Sequence, residues 1–129
     1  MPSVRVLKAG LCTTVQDLGR VGYQAFGIPV SGAMDAFSAC VANFLVGNAK
    51  EQALLEMTYT GDTLEFLKPM QIALAGANLS PKLNGGRIAN WESYAVRAGD
   101  ILEFGRLLDG ARAYLAFSGG GASAPSAGQ

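Results

Sequence analysis

Hydrophobic positions along this chain follow two different periods, separated by one polar stretch. In "SVRVLKAG" the period is two. Val4 and Val6 fall on one face and Arg5 and Leu7 on the other, which predicts a strand ending at Gly10. The alternation is imperfect, since Leu7 is apolar and Lys8 falls on the valine face, so the two β-branched valines carry part of that expectation. From Asp35 the period lengthens. Phe37, Cys40, Val41, Phe44 and Leu45 recur at intervals of three and four, which predicts a helix over about 36–46 with this stripe packed inward. Asp35 suits its N-cap, and Gly47–Asn48 its stop.

Beyond Asn48 the pattern returns to short strands. "ALLEMTYT" and "TLEFL" are joined by Gly61–Asp62 and read as a hairpin. "QIALAGA" reads as a strand buried on both faces. "PKLNGGRI" has a turn at Asn84–Gly85–Gly86, and "YAVRAGDILEFG" one at Ala98–Gly99–Asp100. "ARAYLAFSGGG" is a last strand with Ala113, Leu115 and Phe117 on one side. Turn signals at roughly eight- to twelve-residue spacing point to a mainly β barrel or sandwich with one inserted helix. Residues 121–129, made of Gly, Ala, Ser, Pro and Gln, lack the apolar content to offset the entropy of ordering.

The stretch between the two periods, "TTVQDLGRVGYQAFGIPVSGAMD", fits neither. Gly19, Gly22, Gly27 and Gly32 open backbone conformations closed to other residues, and Pro29 restricts itself and Ile28. A long ordered loop needs partners for its peptide groups, and Gln16, Asp17, Arg20, Ser31 and Asn43 can supply them. Asp17 and Arg20 are placed to form an ion pair. Two readings stand: the polar residues brace the loop, or they line a ligand or subunit surface carried on a β scaffold. Asn43, polar beside the helix's apolar stripe, likewise reads as a surface amide or as a buried anchor for loop backbone.

Composition narrows the chemistry. The 129 residues are half hydrophobic and 16% charged, enough for one core. Ten basic residues balance ten acidic ones, which gives no general attraction to nucleic acid or anionic membrane. No apolar run nears the ~20 residues of a membrane span, and "MPSVRVLKAG" is no signal peptide, so the expected location is cytoplasmic. There is no histidine, which removes Ser–His and Cys–His pairs and the commonest metal ligand. Cys12 and Cys40 are spaced for neither a CxxC pair nor zinc, and no metal is expected; Cys40 reads as core and Cys12 as reachable. Catalysis would fall to carboxylates, amides, hydroxyls, Lys, Arg or Tyr. Glu56, among apolar neighbours in "LLEMT", ranks above Glu65, which reads as solvent-facing. Asn78 follows "AGA" and is placed to reach a pocket. Trp91 and Tyr94 read as core or rim aromatics. "LAGAN" and "SGGG" lack phosphate-loop spacing.

The ordered motifs "TTVQDLGRVGY", "GIPVSGAMD", "ANFLVGN", "LLE", "IALAGA" and "RAYLAFSGG" closely resemble the N-terminal part of a carboxyltransferase family that takes in the C-type 5-oxoprolinase subunits. That family includes allophanate-hydrolase-type subunit 2 of urea amidolyase, the C-type component of ATP-dependent 5-oxoprolinase, and the antagonist of a sporulation-kinase inhibitor. The resemblance runs from Val4 to about Gly120. It departs at Cys12, where the family often has an apolar residue, and in length, since family subunits run to about twice this size; the chain resembles a first half.

The resemblance implies a cyclophilin-like β-barrel fragment over residues 1–120. It implies a subunit of an ATP-dependent 5-oxoprolinase or of a biotin-dependent urea or amide carboxyltransferase. Gln16, Asp17, Asn43 and Glu56 would form the catalytic set, and Arg20, Tyr23, Ser31, Gly32, Met34 and Asn78 would bind substrate. It implies no cofactor on this chain, with ATP or biotin held by partner subunits: a homologous small subunit of the 5-oxoprolinase B type and a catalytic partner. The alternative is a non-catalytic regulatory module that pairs with a kinase-inhibitor-type subunit.

Overall fold

A computed structural model describes residues 3–16, 35–49 and 52–118. Among the described residues ten strands and one helix follow in chain order: β1 (Val4–Lys8), β2 (Thr13–Gln16), α1 (Ala36–Leu45), β3 (Leu54–Thr58), β4 (Thr63–Phe66), β5 (Met70–Asn78), β6 (Lys82–Leu83), β7 (Gly86–Arg87), β8 (Glu92–Val96), β9 (Ile101–Glu103) and β10 (Asp109–Phe117). They make two five-stranded antiparallel sheets, ordered β1-β4-β9-β6-β7 and β2-β3-β10-β5-β8. The described strands do not close into a full barrel. The fold is thus the mainly β, barrel-like fragment with one inserted helix that the sequence led us to expect.

The core lies between the sheets. Val4, Leu64, Phe66 and Leu102 come from the first sheet, and Leu55, Met57, Ile72, Leu74, Leu115 and Phe117 from the second; all are buried. Period-two alternation fixes this. In β3, Leu55 and Met57 enter the inter-sheet core, while Leu54 turns to the opposite face, under α1. β5 and β10 are central and covered on both sides, which is why Ile72–Ala75 and Ala113–Phe117 are buried without interruption.

One expected hairpin and one expected turn are corners between the sheets. β3 and β4, joined at Gly61–Asp62, belong to different sheets, as do β8 and β9, joined through Ala98–Asp100. A turn signal marks a reversal but not which sheet the next strand joins. At the second corner Asp100 accepts from the Arg97 N–H and from the Asn84 amide. Those bonds, the Arg97 backbone first, hold its carboxyl below the usual range. The Asn84–Gly85 turn is a true two-residue hairpin loop between β6 and β7, with φ of 53° and 83°.

The helix ends behave as read. The Asp35 side chain accepts from the Ser38 N–H at 3.1 Å, and Asn48 N–H and Gly47 N–H bond back to the carbonyls of Asn43 and Phe44. That pairing, with Gly47 at φ 77°, is a Schellman stop. The packed face is the correction. Phe37 and Phe44 are 72% and 78% exposed, and Ser38, Ala39, Ala42 and Asn43 face the sheet. α1 lies on Ala75, Ala116 and the Tyr114 ring, and small side chains permit that close approach. Its two polar members are satisfied: Ser38 by Asp35, and Asn43 by the Gln52 carbonyl at 2.8 Å. Cys40 is half-buried rather than core, and Cys12 is exposed.

The β1–β2 connection hangs on one buried acid. Asp62 accepts from the Gly10 N–H at 2.5 Å and the Thr13 hydroxyl at 2.7 Å. Each bond to a carboxylate is worth about 1.5–3 kcal/mol. Asp62→Ala is therefore expected to lower unfolding free energy by about 2–4 kcal/mol, and Asp62→Asn, which keeps an acceptor, by clearly less. Urea unfolding of the two variants measures this; a midpoint for Asp62→Ala equal to the parent's contradicts it.

Candidate functional site

Antiparallel register places one row of polar residues across the face of the second sheet that carries α1. Thr14 on β2 stands opposite Glu56 on β3, and Glu56 opposite Tyr114 on β10. Glu56 is 6% exposed and Tyr114 fully buried. The Tyr114 hydroxyl donates to Glu56 Oε2 at 2.5 Å and accepts from the Asp35 N–H at 2.9 Å. A carboxylate, a phenol and the first peptide of the helix cap are thereby linked in series. Asp35 continues the chain, its two carboxylate oxygens accepting from the N–H and hydroxyl of Ser38.

Burial, then the hydrogen bond to the Glu56 carboxylate, push the Tyr114 phenol well above its ordinary range. The Asp35 N–H works against them and is outweighed. Tyr114 therefore keeps its proton, and that proton is aimed at Glu56. Its chemistry is positional: it fixes Glu56 on one side and the helix N-terminus on the other.

Beside Asp35 opens a cleft of about 330 Å³, lined also by Ser38, Gly76, Trp91, Asp109 and Arg112. Its floor is a bulge where the β10–β5 register shifts between Asp109 and Ala113. Gly76 has φ 88°, and a Cβ there would meet the Arg112 carbonyl at 2.5 Å, so glycine is required. The Asn90 amide caps the carbonyls of Gly76 and Ala77. Trp91 forms the rim, with the Phe37 ring centroid 6.4 Å away. A second groove, of about 460 Å³, runs between β1 and β2 past Val6, Leu11, Cys12, Val15, Leu55 and Asp62.

The structure brings together only part of the expected set. Glu56 lies in the polar row. Gln16 ends β2 opposite Leu54, one pair further along. Asn43 is fully buried and acts on backbone: its amide donates to the Gln52 carbonyl and accepts from Asn48, which also reaches the Phe117 carbonyl at 2.6 Å. This matches the buried-anchor reading of Asn43. Asn78 accepts from the Ser80 N–H two residues on, a local turn. Glu65 stands on the first sheet, in a 3.4 Å ion pair with Arg5. Tyr94, half-buried, bonds the backbone of Ala89. Asp17, Arg20, Tyr23, Ser31, Gly32, Met34, the Asp17–Arg20 pair and residues 121–129 lie outside the described residues. Among the described residues no group of three His, Cys, Asp or Glu is placed to hold a metal, and no helix is long and apolar enough to cross a membrane. Sequence reasoning missed Tyr114 and Arg112. Alternation in "ARAYLAF" sets both on the face opposite Ala113, Leu115 and Phe117, which is the signal that pointed to them.

The model of the carboxyltransferase domain, subdomain A and B, matches residues 26–128. The chain is 38% identical over 119 residues to urea amidolyase of Saccharomyces cerevisiae, covering 92% of this chain and 6% of that protein. It is 37% identical over 117 residues to the C-type 5-oxoprolinase subunit of Escherichia coli, covering 91% of this chain and 38% of that one. The crystal structure of Kluyveromyces lactis urea carboxylase superposes with a TM-score of 0.85 at 43% identity, over 92% of this chain and 10% of that one. The chain belongs to the carboxyltransferase domain family, and it spans well under half the length of these relatives.

The raised Tyr114 phenol has a measurable consequence. Its folded value lies above its unfolded one, so its contribution to stability is fully present below about pH 10 and is lost as pH rises beyond it. The Tyr114 phenol is expected to ionise only above its ordinary range, and together with alkaline unfolding. Ultraviolet phenolate titration of the parent and of Tyr114→Phe, alongside circular dichroism, checks this; a difference between the two near the ordinary phenol value while the chain is still folded would refute it.

Proposed function

We propose that this member of the carboxyltransferase domain family contributes the amide-handling part of a heteromeric enzyme, either an ATP-dependent 5-oxoprolinase or a biotin-dependent carboxyltransferase acting on urea or a related amide. The observation that carries the reading is the Glu56–Tyr114–Asp35 series, buried at Glu56 and Tyr114 and reaching the surface at Asp35, beside the cleft of about 330 Å³. A pocket near this size suits one small molecule. Both chemistries ask a protein to hold an amide and stabilise charge as it develops on it, which carboxylates, amides and hydroxyls can do without histidine. In this reading Glu56 acts through Tyr114 as a positioning residue for the cleft wall, and Gln16 and Asp17 keep the catalytic role that the resemblance implies.

The cleft does not suit a nucleoside triphosphate. Asp35 and Asp109 stand in its lining with Arg112, and no lysine does. ATP, or a carboxyl group on biotin, belongs in this reading to a partner subunit, and so does its chemistry. The partners are a homologous small subunit and a catalytic subunit in the cytoplasm. The regulatory alternative draws on a different feature: exposed Phe37 and Phe44 on α1 make an apolar face suited to a docked subunit.

Reconstitution with intact partner subunits of both types tests the reading. Either 5-oxoproline-dependent ATP hydrolysis or urea-dependent discharge of carboxybiotin is expected, with Tyr114→Phe lowering kcat by about tenfold or more through misplacement of the cleft wall. Assembly with partners but no turnover in either assay would favour the regulatory module, and no assembly at all would refute both.

A further inference from the structure

We propose that the groove between β1 and β2 is a binding site for a small organic ammonium ion, with the Asp62 carboxylate as its charge partner and the ligand's apolar stem or ring lying along the groove. This site shares no lining residue with the cleft beside Asp35 and stands apart from the amide-handling reading. Its origin is topological. β1 ends one sheet and β2 ends the other, so the inter-sheet core is open along this edge. Val6 and Val15 line the opening from the two sheets, Leu55 lines it from within the core, and Leu11 and Cys12 stand exposed beside it. At about 460 Å³ it falls within the range of small-molecule sites.

One charged group in this apolar surface is only half used. Asp62 is 3% exposed. Both of its donors, the Gly10 N–H and the Thr13 hydroxyl, go to Oδ1. Among the described residues Oδ2 accepts no hydrogen bond, and Asp62 forms no ion pair. Every wholly buried side-chain oxygen among those residues has a partner, so Oδ2 keeps access to open space, and the space that Asp62 lines is this groove. A carboxylate this buried with one oxygen unpaired is costly, and a cation that meets it stabilises the site. The remaining acceptors select the head group. Oδ2 alone suits the point charge of an ammonium better than the two-pronged fork of a guanidinium. The Thr13 hydroxyl has given its proton to Asp62 and can only accept, which makes it a second partner for an ammonium N–H. One carboxylate does not hold a divalent metal, and among the described residues no group of three His, Cys, Asp or Glu is placed to do so. The valine and leucine lining sets the rest of the ligand, because burial of an apolar stem is favourable there.

Three probes that share a phenyl ring and differ in the head group test this on the 129-residue chain: benzylammonium, benzyl alcohol and benzoate. Ligand-observed NMR or calorimetry at neutral pH is expected to show binding of benzylammonium, with benzyl alcohol about 10- to 100-fold weaker and no binding of benzoate. Asp62→Asn keeps an oxygen for Gly10 and Thr13 and removes the charge. It should weaken benzylammonium by a similar factor and leave benzyl alcohol unchanged, with circular dichroism confirming the fold. A second measurement needs no variant. Benzylammonium seated in the groove covers Cys12, so it should slow alkylation of Cys12 by iodoacetamide and leave that of Cys40, on α1, unchanged; peptide mass spectrometry reads the two thiols separately. No binding of benzylammonium up to about 10 mM, equal binding of the three probes, or undiminished binding by a folded Asp62→Asn overturns the site. Binding without protection of Cys12 puts the cation elsewhere and overturns it as well. None of these outcomes depends on turnover with partner subunits, so the amide-handling reading stands or falls separately.

Discussion

The hydroxyl of Tyr114 holds three parts of this protein in one geometry. Its ring fills the space between the second sheet and α1, its proton goes to Glu56 on the neighbouring strand, and its lone pair receives the peptide N–H of Asp35 at the helix cap. A buried phenol with neither bond would cost several kcal/mol in desolvation, so each partner is needed for the others to be tolerated. The consequence is mechanical. The helix N-terminus, the wall of the cleft and the buried carboxylate cannot shift independently, and a site assembled this way is pre-organised before any ligand arrives.

The helix shows how polar contacts set what periodicity leaves open. Its apolar stripe reads inward by the usual rule, yet the small and polar stripe is the packed one. Ala39 and Ala42 let the backbone approach Ala75 and Ala116, and Ser38 and Asn43 bring their own partners with them. Phe37 and Phe44 are left outside, the first against Trp91. Asn48 then fastens the far end of the helix to the end of β10 through the Phe117 carbonyl. Polar residues of the "ANFLVGN" motif thus act as stitches between helix, loop and sheet.

Much of this was legible in the sequence where the signal is local. The Asp35 cap, the Gly47–Asn48 stop, the Asn84–Gly85 turn and the inward face of β10 follow from residue chemistry over a few positions. The mainly β class followed from turn spacing, and the family from ordered motifs. Less legible was anything that depends on residues far apart in the chain. Gly61–Asp62 and Ala98–Asp100 signal reversals, but their role as corners between sheets depends on pairing with β1, β5 and β9. Glu56 stood out as an acid among apolar neighbours, whereas Tyr114 looked like one more aromatic in a strand, because the bond joining them spans 58 residues. Arg112 was hidden the same way, its exposure to a cleft being set by a bulge at Gly110 and by a glycine on another strand.

The cleft wall and the helix cap depend on Glu56 and Tyr114 acting as one unit. A double-mutant cycle of Glu56→Ala, Tyr114→Phe and the double variant, followed by urea unfolding, measures that directly, because packing lost in each single variant cancels. A coupling of about 1.5–3 kcal/mol is expected, the range for a hydrogen bond to a charged group. Additive effects, with a coupling below about 0.5 kcal/mol, would show that the two residues are neighbours only and that the cleft wall is held by something else.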